Sequence, residues 1–387
     1  MTLANSINSI FSNVDAFGNL TATTITPIVQ LQFPYTINTD LVATTLVGSG
    51  TVTHSAPFAI CSTTAAINSS ATLTSKANLH YQVGQGGLCL FTAIFTTGVA
   101  NSTQEVGLGD SVDGFFFGYN GETFGINRRS NTSNNYIAQS SWNKDRMDGT
   151  GNSKLTLDPT KGNVYKIQYQ WLGFGAINFF IESQETGSFV LVHQIKYANQ
   201  NTTTTVLNPS LPISVFSSNT SNDTNIVVKV PSIAAYVEGL IQDTGIINSI
   251  NNAKSVTTQL NILTIKVNPT FNGIANKKLV KPRILSIANT SNADATFKLI
   301  LNTTLGGAPS YTDISATTSV VSFDTAGTTI TGGRVLMTFY VLGNNNTEID
   351  LTPLPIGLEP SDILTISCAS SGAALTASAA ITWTEQF

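Results

Sequence analysis

Apolar and aromatic residues alternate with polar residues along most of this chain, and this two-residue period restricts its fold more than any other feature. Segments with the pattern include VQLQFPY, VYKIQYQWLGF and AINFFIES, and clusters of Asn, Gly, Ser and Thr separate them. Successive side chains of a β-strand point to opposite faces, so this period predicts strands with one buried face. Helical patterns are nearly absent, with the best candidate at residues 6–11. The chain is therefore predicted to be all-β.

Charged residues are scarce, which excludes several classes of protein. They make up 10% of the 387 residues, and the net charge is -4, whereas an ordinary soluble domain has about 25% charged residues. A nucleic-acid-binding protein needs clustered Lys and Arg to neutralise phosphates, and this chain has no such excess. No run approaches the roughly 18 apolar residues of a membrane span, and the N-terminus lacks the basic and apolar regions of a secretory signal.

The length suggests two domains, at about 100–200 residues per domain. A short polar run, NSINNAKS, predicts a linker between two series of strand patterns. The second series has six or seven strands, the number expected of an immunoglobulin-like sandwich of about 100 residues. The predicted organisation is an N-terminal arm at 1–30, a β-sandwich at 31–245, the linker at 246–258 and a smaller immunoglobulin-like β-sandwich at 259–387.

The most distinctive block is rich in Gly and aromatic residues, and Asn120-Gly121 within it predicts a hairpin turn. It contains FFFGYNGETFGINRR, then SSWNKDRMDGTG, and then VYKIQYQWLGFG. With the closing segment LEPSDILTISCASSGAALTASAAITWTEQF, it resembles virion structural proteins of tailed bacteriophages and large DNA viruses. These are minor capsid or penton, head-fibre and spike subunits. The resemblance covers roughly 79–240 and 355–387, and it implies a concanavalin or laminin-G type of jelly roll for the first sandwich.

Two functions are predicted. The first is a structural virion protein on the particle surface that forms a homo-oligomer, a trimer or a pentamer, and docks on capsid or fibre neighbours. This prediction rests on the resemblance, on the Ser-, Thr- and Asn-rich composition and on the lack of catalytic motifs. The alternative is a receptor-binding, lectin-like module that recognises a host-surface glycan. No enzyme activity and no cofactor are expected.

The densest charged segment of the chain supplies most of the candidate contact residues. It contains Arg128, Arg129, Asp145 and Asp148. Local salt bridges within a loop are the favoured interpretation, and a docking surface for a glycan or a protein partner is the alternative.

Aromatic residues could also form a platform on which a sugar stacks. Trp142 lies in the polar segment SSWNKD, so it is predicted to be an exposed contact. Trp171 and Trp383 lie in strand patterns, so they are predicted to be in the core. Tyr119 and Tyr136 are the remaining candidates for such a platform.

Other chemistry is less well supported. A calcium site could use the aspartates of the Gly-rich block, but there is no Asp-x-Asp-x-Asp-Gly loop, and turn aspartates are the favoured interpretation. A glycosidase needs two facing carboxylates, and the available glutamates show no suitable strand spacing. The histidines and cysteines are expected to be sheet residues and buried thiols. The residues concerned are Asp110, Asp113, Asp145 and Asp148; Glu105, Glu122, Glu182 and Glu185; His54, His80 and His193; Cys61, Cys89 and Cys368.

Overall fold

The computed structural model describes residues 24–241 and 245–386. Strands make up nearly all regular structure in these residues, and a single 3-10 turn lies at Gln139–Ser141. The all-β prediction is confirmed. The chain divides into two compact units between Ile241 and Gln242, and each is described by itself.

The first unit is built from sixteen strands within residues 24–241. They are β1 (Ile25–Gln32), β2 (Val42–Val47), β3 (Thr51–Ser55), β4 (Phe58–Ser62), β5 (Ser69–Leu79), β6 (Gly86–Phe95), β7 (Ser102–Gly109), β8 (Gly114–Asn120), β9 (Thr123–Ser130), β10 (Ser133–Ala138), β11 (Asn163–Gln170), β12 (Ile177–Glu182), β13 (Phe189–Ile195), β14 (Leu211–Asn219), β15 (Val227–Val230) and β16 (Ser232–Glu238).

These strands form two antiparallel sheets that share one core. The first sheet has the order β10-β9-β8-β7-β14-β5-β2. The second runs β13-β12-β11-β6 and then branches, with β16 and β1 on one branch and β15, β4 and β3 on the other. Alternate residues of both sheets enter the core, for example Val106 and Leu108 of β7 and Tyr165 and Ile167 of β11. The first unit is therefore a β-sandwich.

The predicted N-terminal arm at 1–30 is wrong for its last residues. Residues 25–30 belong to β1, which pairs with β16, and Val29 and Leu31 are buried in the core. Alternation of polar and apolar residues explains this placement, because it gives β1 one face for the core. Residues 1–23, including the predicted helix at 6–11, lie outside the described residues.

The Gly-rich aromatic block folds so that aromatic rings occupy the space left by missing side chains. A Cβ atom at Gly125 would lie 2.9 Å from Cζ of Tyr136, and one at Gly114 would lie 2.5 Å from Cε2 of Phe116. Aromatic side chains packed over strand glycines stabilise such sheets. The predicted hairpin turn is confirmed, since Gly121 has φ +60 between β8 and β9.

His193 occupies an inward position of β13, as predicted for a sheet histidine. It is 6% exposed, its ring centroid lies 6.4 Å from that of Phe179, and Nδ1 accepts a hydrogen bond from the Asn143 amide at 3.2 Å. Burial lowers the pKa of His193 from 6.5 to about 4. The folded protein therefore holds His193 neutral at pH values where the unfolded chain binds a proton.

This difference predicts a pH-dependent stability. Because the unfolded chain takes up a proton below about pH 6.5, stability that is present at neutral pH is lost as the pH falls toward 4. We expect the free energy of unfolding at pH 5 to be about 1–2 kcal/mol lower than at pH 7 through this residue. His193→Gln keeps an acceptor and should lose this contribution. Urea unfolding at both pH values measures it, and an equal pH dependence in the variant would contradict the assignment.

The second unit contains fourteen strands within residues 245–386, more than the six or seven predicted. Five of them are only two residues long, and one of the other nine lies in the predicted linker. They are β17 (Ile246–Val256), β18 (Leu260–Val267), β19 (Thr270–Phe271), β20 (Ile274–Ala275), β21 (Val280–Asn289), β22 (Ala295–Leu301), β23 (Thr304–Leu305), β24 (Thr312–Asp313), β25 (Val321–Asp324), β26 (Ile330–Thr331), β27 (Arg334–Val341), β28 (Asn345–Asp350), β29 (Ile363–Ser370) and β30 (Leu375–Glu385).

Two main sheets of the second unit enclose a core of their own. Their orders are β17-β30-β21-β28 and β24-β25-β18-β29-β22-β27. Core residues come from both, including Ile265 of β18, Phe297 of β22 and Trp383 of β30. The concanavalin-like and immunoglobulin-like types of the two units stay predictions.

The predicted linker at 246–258 is wrong, because most of it forms strand β17. β17 pairs with β30 along its whole length. Its polar side chains are bonded where they face the other sheet: Asn252 Nδ2 donates to the Ile262 carbonyl at 2.7 Å, and Lys254 Nζ donates to the Asn261 carbonyl at 2.8 Å. A polar run can therefore form a strand here, since its buried polar groups have partners.

The carboxylate of Glu385 ties three segments of the second unit together. Glu385 is 0% exposed. Its Oε1 accepts hydrogen bonds from Asn248 Nδ2 at 2.8 Å, Ser319 Oγ at 2.7 Å and Trp383 Nε1 at 2.9 Å. Its Oε2 accepts one from the Val320 amide at 2.7 Å. One side chain thus joins β17, β30 and the segment that leads into β25.

Candidate functional site

Loops from both sheets of the first unit meet at one end of the sandwich. Leu79, the last residue of β5, pairs with Leu211, the first of β14. Gln170, the last residue of β11, pairs with Gly86, the first of β6. The pairing registers of β7–β10 and of β12–β14 place the ends of these strands at the same end of the sandwich. We define the loop end as residues 80–85, 110–113, 131–132, 171–176 and 196–210.

Trp171 packs against the core of the first unit, as predicted, but it is the one tryptophan of the chain that is not fully buried. It is half-buried, whereas Trp142 is 3% exposed and Trp383 is 0% exposed. β11 ends one residue earlier, so Trp171 begins the turn to β12. Tyr81 lies beside it, with ring centroids 5.5 Å apart and ring planes at 73°.

The Trp171 turn is held by hydrogen bonds to neighbouring loops. Trp171 Nε1 donates to the Val206 carbonyl at 3.2 Å, and the Leu172 amide donates to the Tyr81 hydroxyl at 3.2 Å. The Thr205 amide donates to the carbonyl of Gly173 at 2.9 Å. These bonds fix the position of the Trp171–Tyr81 pair.

Exposed apolar side chains lie in the same loops as this aromatic pair. Leu172 is 64% exposed, Leu207 is 56% exposed and Val83 is 81% exposed. Phe174 is partly exposed, and its ring centroid lies 6.2 Å from that of Tyr197. Since exposed apolar groups clustered with polar groups commonly mark a binding surface, the loop end is the candidate site.

Arg128 also reaches the loop end, as one of the predicted contact residues. It lies near the end of β9, and its Nη1 donates to the Thr205 carbonyl at 2.8 Å. The guanidinium carbon lies 5.3 Å from the centroid of the Tyr197 ring, within cation–π distance.

Asp113 organises the loop end. It is 1% exposed, and its carboxylate accepts hydrogen bonds from the amides of Asn131 at 3.2 Å, Leu207 at 3.0 Å and Asn208 at 3.1 Å. Asp110 Oδ1 accepts from the Asp113 amide at 3.0 Å. These aspartates therefore stabilise turns, in line with the favoured interpretation of the sequence.

Arg129 has a structural partner that sequence spacing did not indicate. Its Nη2 lies 2.6 Å from Oε2 of Glu105, and the two side chains are 14% and 6% exposed. Asn127 Nδ2 donates to the other oxygen of Glu105 at 2.6 Å, and Arg129 Nε donates to Asn134 Oδ1 at 2.9 Å. Among the described residues Arg129 pairs with Glu105 and not with Asp145 or Asp148, so the predicted salt bridges within the loop are wrong for it.

The predicted exposed contact at Trp142 is also wrong. Trp142 is 3% exposed and packs edge-on against Phe117 and Phe124, with centroid distances of 6.1 Å and 6.3 Å. In the polar segment that follows it, Asp145 accepts hydrogen bonds from the amides of Met147 at 2.9 Å and Ser153 at 2.6 Å. These bonds stabilise the turn next to the buried Trp142.

Asp148 remains exposed, but it does not join the other predicted residues. Its Oδ1 accepts hydrogen bonds from the amide of Thr150 at 2.9 Å and from its hydroxyl at 2.5 Å. Those two bonds lower the pKa of Asp148. Of the five predicted contact residues, Arg128 and Arg129 thus reach the loop end with side chains partly open to solvent, and Arg128 is the one of the two without a carboxylate partner among the described residues.

The described residues were also compared with the requirements of a metal site, a disulfide and a membrane span. Within residues 24–241 and 245–386, no group of three or more His, Cys, Asp or Glu side chains is placed to hold a metal ion. The three cysteines are buried free thiols, as predicted. No helix in the described part of the chain is long and apolar enough to span a membrane.

Comparisons with known proteins give structural likeness without a family. No family model matches, and no curated protein matches. Similar solved structures include the Emp46p carbohydrate recognition domain in its metal-free form (12% identity, TM-score 0.32, 51% of this chain and 89% of that chain). They also include apo Crh5 transglycosylase (13%, 0.36, 56% and 85%) and lectin I-B4 from Griffonia simplicifolia, metal-free (13%, 0.34, 54% and 99%). These values assign no family.

Proposed function

We propose that the first unit binds carbohydrate at its loop end, with Trp171 and Tyr81 as the stacking surface. Sugars present an apolar face of C–H groups and a rim of hydroxyl groups. An amphipathic aromatic ring that is partly exposed to solvent suits the apolar face. The observation that carries the proposal is the half-buried Trp171–Tyr81 pair, placed among the loops of both sheets.

The hydrogen bonds around the pair support this function. Trp171 Nε1 is bonded to Val206, and the Gly175 amide donates to the Trp171 carbonyl at 2.8 Å. A side chain that is already ordered loses little conformational entropy when a ligand binds. The fixed turn therefore lowers the cost of stacking a sugar on Trp171.

Binding fits the loop end better than hydrolysis does. A glycosidase needs an acid and a second carboxylate that face each other across the bond to be cleaved. The carboxylate of Asp113, at the loop end, is buried and accepts hydrogen bonds from three backbone amides. Its oxygens therefore hold neighbouring turns in place and do not face a second carboxylate in these contacts.

Binding of glycans by wild-type and variant protein tests this proposal. We expect Trp171→Ala to weaken the strongest interaction on a glycan array by at least tenfold, because alanine removes the stacking surface. Tyr35→Ala is the matched control: Tyr35 is 89% exposed and follows β1, at the opposite end of the sandwich. Equal loss in both variants, or no binding by wild-type protein to any glycan, would refute the proposal.

The structural role in a virus particle stays a prediction from the sequence resemblance. A homo-oligomer, capsid or fibre neighbours and a position on the virion surface belong to the same prediction. It is compatible with glycan binding, because one molecule can both pack in a particle and present a loop end to a receptor.

A further inference from the structure

Arg128 is an inward-facing arginine at the end of the sandwich. Ile126, two residues earlier on β9, is 0% exposed in the core, and side chains two apart on a strand share a face. Arg128 follows where that face reaches the loop end, and it is half-buried. Its charge is thus held close to the protein interior, next to Tyr197.

The neighbouring Arg129 has a hydrogen-bond acceptor at each of its three side-chain nitrogens. Its Nη2 pairs with Glu105, its Nε donates to Asn134 and its Nη1 donates to the Asp110 carbonyl at 2.8 Å. An arginine has five N–H donors in a planar fork. Arg128 donates to the Thr205 carbonyl, and no carboxylate within residues 24–241 and 245–386 pairs with it.

The residue whose carbonyl binds Arg128 carries a hydroxyl without a hydrogen-bond partner among the described residues. Thr205 is 1% exposed, and its Oγ1 is buried without a hydrogen-bond partner among the described residues. The backbone of the same residue is bonded on both sides, to Arg128 and to Gly173. A buried hydroxyl without a partner costs about 1–3 kcal/mol. This hydroxyl is closed off from solvent, so the group that an anionic ligand would meet is the half-buried Arg128 guanidinium.

A buried carboxylate that contacts the same loop is bonded to backbone amides. Asp113 contacts the same loop through the amides of Leu207 and Asn208, and a third amide, from Asn131, completes its bonding. Its negative charge is thus compensated by backbone donors.

We propose that the Arg128 guanidinium forms a carboxylate-binding subsite, so that the glycan bound at the loop end carries an acidic sugar, a sialic acid or a uronic acid. This inference rests on the proposed glycan binding. A guanidinium binds a carboxylate with two parallel hydrogen bonds, which adds specificity as well as affinity. Trp171 would stack on the neighbouring sugar, since its turn and Arg128 are joined through residues 205–206.

Matched pairs of acidic and neutral glycans test the inference with the full chain. The probes are sialyllactose against lactose, and a hyaluronan oligosaccharide against a chitin oligosaccharide of equal length. We expect one acidic probe to bind at least tenfold more tightly than its neutral partner. Arg128→Gln should reduce that affinity to the neutral level, and Arg128→Lys should restore part of it, because it keeps the charge but loses the fork. Arg146→Gln is the control, since Arg146 is exposed and the variant removes the same charge.

The outcomes separate this inference from the proposed function. Equal binding of acidic and neutral probes that Arg128→Gln leaves unchanged overturns the carboxylate subsite and keeps glycan binding. Loss of affinity of the same size in Arg146→Gln also overturns it, because general charge attraction would then explain the preference. No binding of any probe or array glycan overturns both proposals. Thermal unfolding of each variant checks its fold, and Arg128→Lys serves as the test if Arg128→Gln unfolds.

Discussion

Replacing Gly118 by alanine is expected to destabilise the first unit by about 3 kcal/mol or more. A Cβ atom at this position would lie 1.7 Å from the backbone carbonyl oxygen of Gln104, on the neighbouring strand β7. Backbone atoms in the middle of a sheet cannot move aside without breaking ladder hydrogen bonds. Two strands beneath the aromatic rings of the Gly-rich block would then separate. Urea unfolding followed by tryptophan fluorescence measures the loss.

Gly162→Ala is the matched control for this prediction. A Cβ atom at Gly162 would lie 3.9 Å from Cγ1 of Ile94, which is ordinary van der Waals contact. We expect a change within about 0.5 kcal/mol of wild type. A similar, small effect in both variants would show that strands β7 and β8 do not approach as closely as described.

Replacing Glu385 by glutamine is expected to destabilise the second unit by about 2–4 kcal/mol. Its two oxygens accept four hydrogen bonds and donate none. A carboxamide has one oxygen and one NH2 group, so in either orientation an N–H group of the variant would face a buried donor. Loss of charge-assisted hydrogen bonds costs about 1.5–3 kcal/mol each, and an unmet buried donor adds to this.

Glu348→Gln provides the same chemical change at an exposed position of the second unit. Glu348 lies on the edge strand β28, where the Ser286 hydroxyl donates to it at 3.5 Å. We expect a change of less than about 0.5 kcal/mol. Calorimetric unfolding of both variants tests the comparison, and a stability of Glu385→Gln equal to that of Glu348→Gln would contradict the role given to Glu385.

The strands were the part of the fold that the sequence could predict well. Alternation in INFFIE places Ile177, Phe179 and Ile181 on one face, and all three are 0% exposed. This works because burial of one sheet face requires the period directly. The linker prediction failed because the partners of Asn252 and Lys254 are carbonyls of another strand. A local pattern cannot show that polar residues will be bonded by a distant segment.

The site prediction failed at Trp142 for a related reason, and it missed that Trp171 lies at the end of its strand. Trp142 lies in a polar segment, yet the turn that Asp145 stabilises carries it onto the aromatic core. Trp171 continues a strand pattern, yet Gly173 and Gly175 make a turn directly after it. The sequence WLGFG contained that signal, since closely spaced glycines after an aromatic residue indicate the end of a strand. Arg128 stays a predicted contact residue, and its surroundings depend on loops far away in the chain.

The indole N–H spectrum tests glycan binding at Trp171 most directly. The protein has three tryptophans, so nitrogen-15 labelling of their side chains gives three signals. The signal that is absent in Trp171→Phe belongs to Trp171. During titration with the glycan that binds most strongly on the array, we expect the Trp171 signal to move to saturation while the signals of buried Trp142 and Trp383 stay in place. Saturable glycan binding that leaves the Trp171 signal unmoved would contradict the proposed site.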